Sequence, residues 1–389
     1  MPAATRLESV DLLRGAVVIV MALDHVREFF GDQTEQPTNL ATTTIPLFFS
    51  RWITHFCAPV FFLLVGTGAF LLLQRTTKRE LSRFLVLRGL WLICLELVVV
   101  RFALQFNLDY QITVIAVLWA LGWSMIVLAA LVWLPTWLIA CIAVLVIVGH
   151  NTLDEVPASA WGSMAPLWTV LHAPGFALNR GGHAIFVAYV LVPWVAVTAL
   201  GYVVGHAFRW ELARRRALLL RLGIALSCGF VLLRLLNLYG DGSPWETQQS
   251  PLWTAMSFLN TTKYPPSLLF LLMTLGPAFL LLRAFDASVP AWLRPVLIIG
   301  RVPLFFYVVH FFVIHLLAIA ASWLRYGSVS ELFRSPDLEH FPFSQPPGWG
   351  ASTPVVALLW VLVVIIMFPL CRWYADIKRR RTDWWLKYV

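Results

Sequence analysis

Four ionisable side chains, Asp24, His25, Arg27 and Glu28, stand within "MALDHVREFF" (21–30), directly after the apolar run "GAVVIVMAL". A charge at the centre of a bilayer costs roughly 2.5–3.5 kcal/mol on insertion scales, so such groups face a partner or an aqueous cavity. Histidine suits general-base work, because its unperturbed pKa lies near 6.5. Glu28 follows His25 by about one helical turn and is placed to orient the imidazole, while Asp24 has Arg27 as its i,i+3 partner. Further along, Arg51 and His55 are one turn apart in "SRWITHFCAPVFF", and "GRVPLFFYVVHFFVIH" carries Arg301, His310 and His315. Three helices would thus bring histidine to one depth: either a set of interfacial polar groups or a shared polar cavity. Lys263 and Tyr264, before the Pro-Pro pair of "SFLNTTKYPPSLLFLL", are either an interfacial anchor or ligand contacts at the cavity mouth. Asp11 and Arg14 share a face at the start of the first apolar segment, as a simple ion pair or as an anion contact.

These residues need membrane helices to position them. The 389-residue chain is 60% hydrophobic and 13% charged, against about 45–50% and about 25% for soluble domains. About 20 apolar residues span the hydrocarbon. Candidate spans fall near 10–30, 50–73, 84–104, 112–133, 135–150, 185–207, 217–238, 265–283, 296–322 and 353–372, the fifth being the shortest. The expected fold is all-α: a polytopic bundle of about ten spans forming one domain over 1–389, with both termini cytoplasmic. With ten crossings the basic runs at 75–83, 209–216 and 376–387 fall on one side, as the positive-inside rule requires. The net charge of +9 is therefore a topology signal and excludes nucleic acid as a partner. In span one, His25 lies about 21 Å beyond Asp11 at 1.5 Å per residue, in the outer half of the membrane. Pro59, Gly66 and Gly68 permit a kink and close packing, and Pro265–Pro266 would open the eighth span. The outer segments 151–184, 239–264 and 323–352, rich in Gly, Pro and Trp, read as ordered covers. The N-terminal "MPAATRLESVDLLRG" shows no signal-peptide cleavage site and is expected to stay attached.

The five cysteines lie in apolar runs and read as free, buried thiols. No GxSxG, HExxH, Walker, Rossmann or CxxC motif occurs, and no metal is expected, although histidines from separate helices can bind one without a motif.

"RLESVDLLRGAVVIVMALDHVREFF" followed by "FCAPVFFLLVGTGAFLL" resembles the start of the heparan-α-glucosaminide N-acetyltransferase catalytic-domain family, and "VIAVLWALGWSMI", "YVLVPWVAVTALGYVVG", "SFLNTTKYPPSLLFLLMTLGP" and "GRVPLFFYVVHFFVIH" continue the likeness in order. "VDLLRG" and "TKYPPS" are its most specific pieces and point to the bacterial branch. The resemblance implies a multi-pass acyltransferase that takes acetyl from cytosolic acetyl-CoA and delivers it to a sugar amine on the far side. It implies a place beside the CoA mouth for Asp11 and Arg14. It puts His25 where the eukaryotic family has a catalytic asparagine, and matches His310 to a histidine of a late helix. The family's own catalytic histidine lies in the loop after the first helix, and residues 31–47 contain none. The eukaryotic luminal domain has no counterpart, so heparan sulfate is not the expected acceptor.

Residue chemistry agrees with that outline. Arg14, Arg88 and Arg301 near the cytoplasmic mouth suit the phosphates of CoA. The expected catalytic group is His25, His310, Glu28 and Asp24, and the expected acceptor contacts are Arg51, His55, Lys263 and Tyr264. Direct transfer and a histidyl-acyl intermediate are both open. The expected setting is a bacterial cytoplasmic membrane, with the bilayer and a sugar or glycan as partners and a homodimer as one assembly. The alternative functions are a proton-coupled secondary transporter, disfavoured by the absence of a sequence repeat, and a non-catalytic membrane scaffold.

Overall fold

The computed structural model describes residues 7–32, 36–286, 289–336, 342–381 and 383–388. Residues 1–6, the first part of the N-terminal segment expected to stay attached, lie outside the described residues.

The first helix, α1 (Glu8–Phe30), runs unbroken through the charged stretch and ends where the Gly31 N–H donates to the Arg27 carbonyl at 2.7 Å. It can carry those charges because it does not face lipid. It packs on α2 (Ile45–Thr54), α3 (Cys57–Leu73), α12 (Leu268–Phe285), α13 (Arg294–Gly300), α14 (Pro303–Tyr326) and α15 (Thr353–Arg380). Pro59 lacks an N–H for the His55 carbonyl four residues back, and the expected kink appears there as the break between α2 and α3. The next run is continuous from α4 (Lys78–Cys94) through a π-helical turn, Leu95–Val100, into α5 (Arg101–Gln105). Then come α6 (Val117–Leu131), α7 (Thr136–Gly149), α8 (Ala165–Leu171), α9 (Val192–Gly205), α10 (Leu212–Leu236) and α11 (Pro251–Leu259).

Among the described residues, six helical stretches are long and apolar enough to cross a bilayer: Ile45–Leu73, Thr136–Leu153, Leu212–Leu236, Leu268–Phe285, Pro303–Tyr326 and Thr353–Arg380. They answer to the expected spans 50–73, 135–150, 217–238, 265–283, 296–322 and 353–372. The other four differ from expectation. The span at 10–30 is helical but holds too many carboxylates and arginines for that class, and the one at 84–104 is interrupted by the π turn. Those at 112–133 and 185–207 open as β-strands, leaving helices of only 15 and 14 residues. The protein is a mostly helical membrane bundle of the expected all-α class, with one small sheet.

That sheet consists of β1 (Ile112–Ile115), β2 (Gly175–Arg180) and β3 (His183–Val187) in the order β1-β3-β2, with β1 parallel and β2 antiparallel to β3. "ITVI" and "HAIFV" are β-branched and aromatic enough for strands. Gly181 and Gly182, both at positive φ, form the two-residue hairpin that joins β2 to β3. Segment 151–184 is thus ordered, with β2 and the start of β3 in it.

Close helix approaches fix the frame. A Cβ on Gly66 would lie 1.9 Å from the Thr198 carbonyl oxygen, and one on Gly201 would lie 2.0 Å from that of Leu63. The α3–α9 crossing therefore admits only hydrogen at both positions.

Candidate active site

Elements from across the chain enclose a polar cavity of about 330 Å³. Asp24, His25 and Glu28 come from α1, Arg51 from α2 and Glu96 from the π turn. Lys263 and Tyr264 come from the turn before α12, and Tyr307 and Phe311 from α14. Val114 of β1, Phe186 of β3 and Tyr189 complete the wall, so the small sheet covers this cavity. Six of the expected site residues, separated by up to 240 positions in sequence, thus meet in one place.

The centre of the arrangement is a histidine pair: His25 Nδ1 and His310 Nε2 are 2.7 Å apart. Their tautomers follow from the neighbouring carbonyl. His310 Nδ1 faces the Phe306 carbonyl at 3.0 Å, and a carbonyl only accepts, so this nitrogen carries the proton. In the neutral ring His310 Nε2 is then an acceptor, and His25 Nδ1 must donate to it. His25 Nε2 is left with its lone pair, on a side chain that lines the cavity. The orienting role expected of Glu28 is filled at Nδ1 by His310, and Glu28 stands in the wall of the same cavity. Asp24 pairs with Arg27 at 2.5 Å, as expected, and also with Arg51. Its carboxylate holds two guanidiniums together at the cavity edge.

The Lys263–Tyr264 turn is held by a network of polar groups. Arg234, fully buried, donates to the carbonyls of Phe258, Ser243, Ser257 and Asn260. Asp241 accepts from the Thr262 N–H and hydroxyl and from the Ser267 hydroxyl. His150 Nε2 lies 2.9 Å from the Pro266 carbonyl, and the Leu268 N–H donates to Asn151. Farther out, burial would raise the Asp154 carboxyl, but hydrogen bonds from His172 and Asn151 outweigh it and hold it below its usual range. Contrary to expectation, Pro265 and Pro266 do not open the eighth helix. They form the turn ahead of the N-cap Ser267, whose hydroxyl accepts from the Phe270 N–H.

A second cavity, of about 280 Å³, has a basic rim and apolar walls. Arg14, Arg88, Arg301 and Lys378 supply the charge, and Phe61, Val65, Leu85, Leu92 and Met125 are among the apolar lining. Asp11 is buried beside it and accepts from Arg14 Nη1 at 3.4 Å, while Arg14 Nη2 donates to the Leu64 carbonyl at 3.1 Å. Arg301 also lies 3.7 Å from Glu8.

Two expected histidines are elsewhere. His55 is buried edge-on against Phe270 and is not part of the polar lining. His315 lies between the carbonyls of Ala103 and Leu332 and stacks on Phe106. Sequence reasoning did not single out Glu96, Tyr307 or Lys378. Glu96, a lone carboxylate in "WLICLELVVV", was visible by the same rule that marked Asp24. Tyr307 carries no such signal, and Lys378 is indistinguishable from its basic neighbours.

Residues 6–228, more than half of the chain, match the family described as heparan-alpha-glucosaminide N-acetyltransferase, catalytic. A comparison with curated proteins finds no match. The family match takes in α1 through most of α10 and stops before α12 and α14, so it does not extend to Lys263, Tyr264 and His310, which the fold brings to the same cavity. A match of this extent, over a helical membrane bundle whose first helix supplies the centre of the polar cavity, has one reading: the chain belongs to the heparan-alpha-glucosaminide N-acetyltransferase catalytic family.

Proposed function

We propose that the protein moves an acetyl group from acetyl-CoA to an amine or hydroxyl of a sugar or glycan across a bacterial cytoplasmic membrane. The observation that carries the reading is the His25–His310 contact of 2.7 Å at the wall of the polar cavity; with His310 Nδ1 on the Phe306 carbonyl it makes His25 Nε2 the nitrogen that can accept a proton. The basic cavity suits the donor: Arg14, Arg88, Arg301 and Lys378 are placed to hold phosphates by charge-assisted hydrogen bonds, and the apolar walls suit the pantetheine arm. Asp11 orients Arg14. On the positive-inside argument this cavity opens to the cytoplasm.

The acceptor occupies the polar cavity, where Arg51, Lys263 and Tyr264 contact its hydroxyls and Glu28 flanks the base. As the acceptor N–H or O–H attacks the thioester carbonyl, His25 takes the proton and returns it to the departing thiolate. His310 holds the His25 ring and shares the positive charge that develops on it. Asp24 acts by fixing Arg27 and Arg51. Membership of an acetyltransferase family supports this reading over the transporter and scaffold alternatives.

The test follows label from radioactive acetyl-CoA to amino sugars and envelope glycans with purified protein in liposomes. His25→Ala should lower transfer about 10²–10⁴-fold, the range for a general base, with acetyl-CoA binding retained. Transfer by folded His25→Ala at the wild-type rate would remove His25 from the reaction.

A further inference from the structure

The two cavities share two lining residues, Val117 and Tyr307. Three separate elements pass from one lining to the other at that level. Along α14, Leu304 lines the basic cavity, Tyr307 both and Phe311 the polar one. At the start of α6, Ala116 lines the polar cavity, Val117 both and Leu118 the basic one. Along the α4 run, Leu92 lines the basic cavity and Glu96, one turn on in the π segment, the polar one. Glu96 also fixes the crossing point of α6, because its carboxylate accepts the Leu118 N–H at 3.0 Å. The boundary is thus a defined partition, built from an isopropyl group and a phenol ring on well-anchored backbone.

The partition stands beside the histidine pair. The Tyr307 ring centre is 6.1 Å from that of His25 and 5.8 Å from that of His310. A thioester carbonyl within reach of His25 and of an acceptor in the polar cavity, with its CoA body in the basic cavity, must pass the level of Val117 and Tyr307, the two residues that line both. Its acyl group then lies against those two side chains.

We propose that Val117 and Tyr307 gauge the length of the acyl group and restrict the donor to short acyl-CoA. The inference rests on the donor assignment made above. A close-fitting apolar pocket discriminates one methylene by about 10–200-fold, and Val117, the smaller wall, is where space is gained or lost by substitution.

Binding separates the possibilities without knowledge of the acceptor. Full-length protein in detergent is titrated with CoA, acetyl-CoA, propionyl-CoA and butyryl-CoA. Wild type should bind butyryl-CoA about tenfold or more weakly than acetyl-CoA. Val117→Ala should abolish that difference, and Val117→Phe should weaken acetyl-CoA while leaving CoA itself unchanged. Equal binding of acetyl- and butyryl-CoA by wild type, or a penalty that survives Val117→Ala, overturns the gauge and leaves the donor assignment standing. Failure of wild type to bind any of the four overturns both.

Discussion

Asp24 is the residue on which most of the polar cavity's charge depends. It is buried against Arg27 and Arg51, and two guanidiniums at close range would repel each other without it. Removing one partner of a buried ion pair typically costs about 3–5 kcal/mol, since the remaining charge is left uncompensated. Asp24→Asn should therefore lower the thermal midpoint of the detergent-solubilised protein by many degrees. Its loss of transfer should parallel its loss of fold. A variant as stable as wild type would show that other groups neutralise Arg27 and Arg51. His25 differs in kind: its ring touches His310 and Phe311 at the cavity wall, so its truncation should act on turnover more than on stability.

At the scale of elements, the α3–α9 crossing sets the spacing of the bundle behind the basic cavity, where α3 contributes Phe61, Val65 and Ala69 to the lining. Gly201→Leu places a Cβ 2.0 Å from the Leu63 carbonyl oxygen, a clash with rigid backbone. Overpacking of this kind costs about 1–3 kcal/mol and occasionally more. The expected result is a lower yield of monodisperse protein in size-exclusion chromatography. Gly149→Ala is the control, because a Cβ there would meet nothing within 4 Å; it should behave as wild type. Equal behaviour of the two variants would mean that α3 and α9 can separate freely. The π turn at Leu95–Val100 belongs to the same scale. It interrupts an otherwise continuous helix at the level where Glu96 meets the N-terminus of α6, a place where an acceptor for free N–H groups is favourable.

For the whole molecule, the start of α1, with Arg14, and the end of α15, with Lys378, meet at the basic cavity. The end of α1 reaches the opposite face, where Gly31 bridges to Ala351. The two described chain ends therefore approach one side of the bundle, and we propose from the positive-inside rule that this side is cytoplasmic. Single cysteines at the exposed positions Glu211 and Glu246, in a background without the five native cysteines, test this with a membrane-impermeant thiol reagent. Glu246→Cys should label in intact cells, and Glu211→Cys only after permeabilisation. The reverse pattern would invert the topology and with it the proposed direction of transfer.

Sequence alone determined the membrane class, because 60% apolar residues cannot be buried in a soluble domain of ordinary composition. It also marked Asp24, His25, Glu28 and Arg51, because ionisable groups in apolar runs are expensive and hence informative. It could not determine where strands replace helix at 112–115 and 183–187. Short β-branched apolar runs read alike in both states, and only their pairing with each other decides. The apolar flanks of His55, His310 and His315 are alike, and in the sequence it was the family resemblance that singled out His310 as a catalytic candidate. Only the rotation and tilt of α14 against α1 put His310 on His25 and sent His315 to backbone carbonyls. Tyr307 and Val117 were beyond reach for the same reason: an apolar or aromatic side chain becomes a partition only when two cavities form on either side of it, and those cavities exist only in the packed bundle.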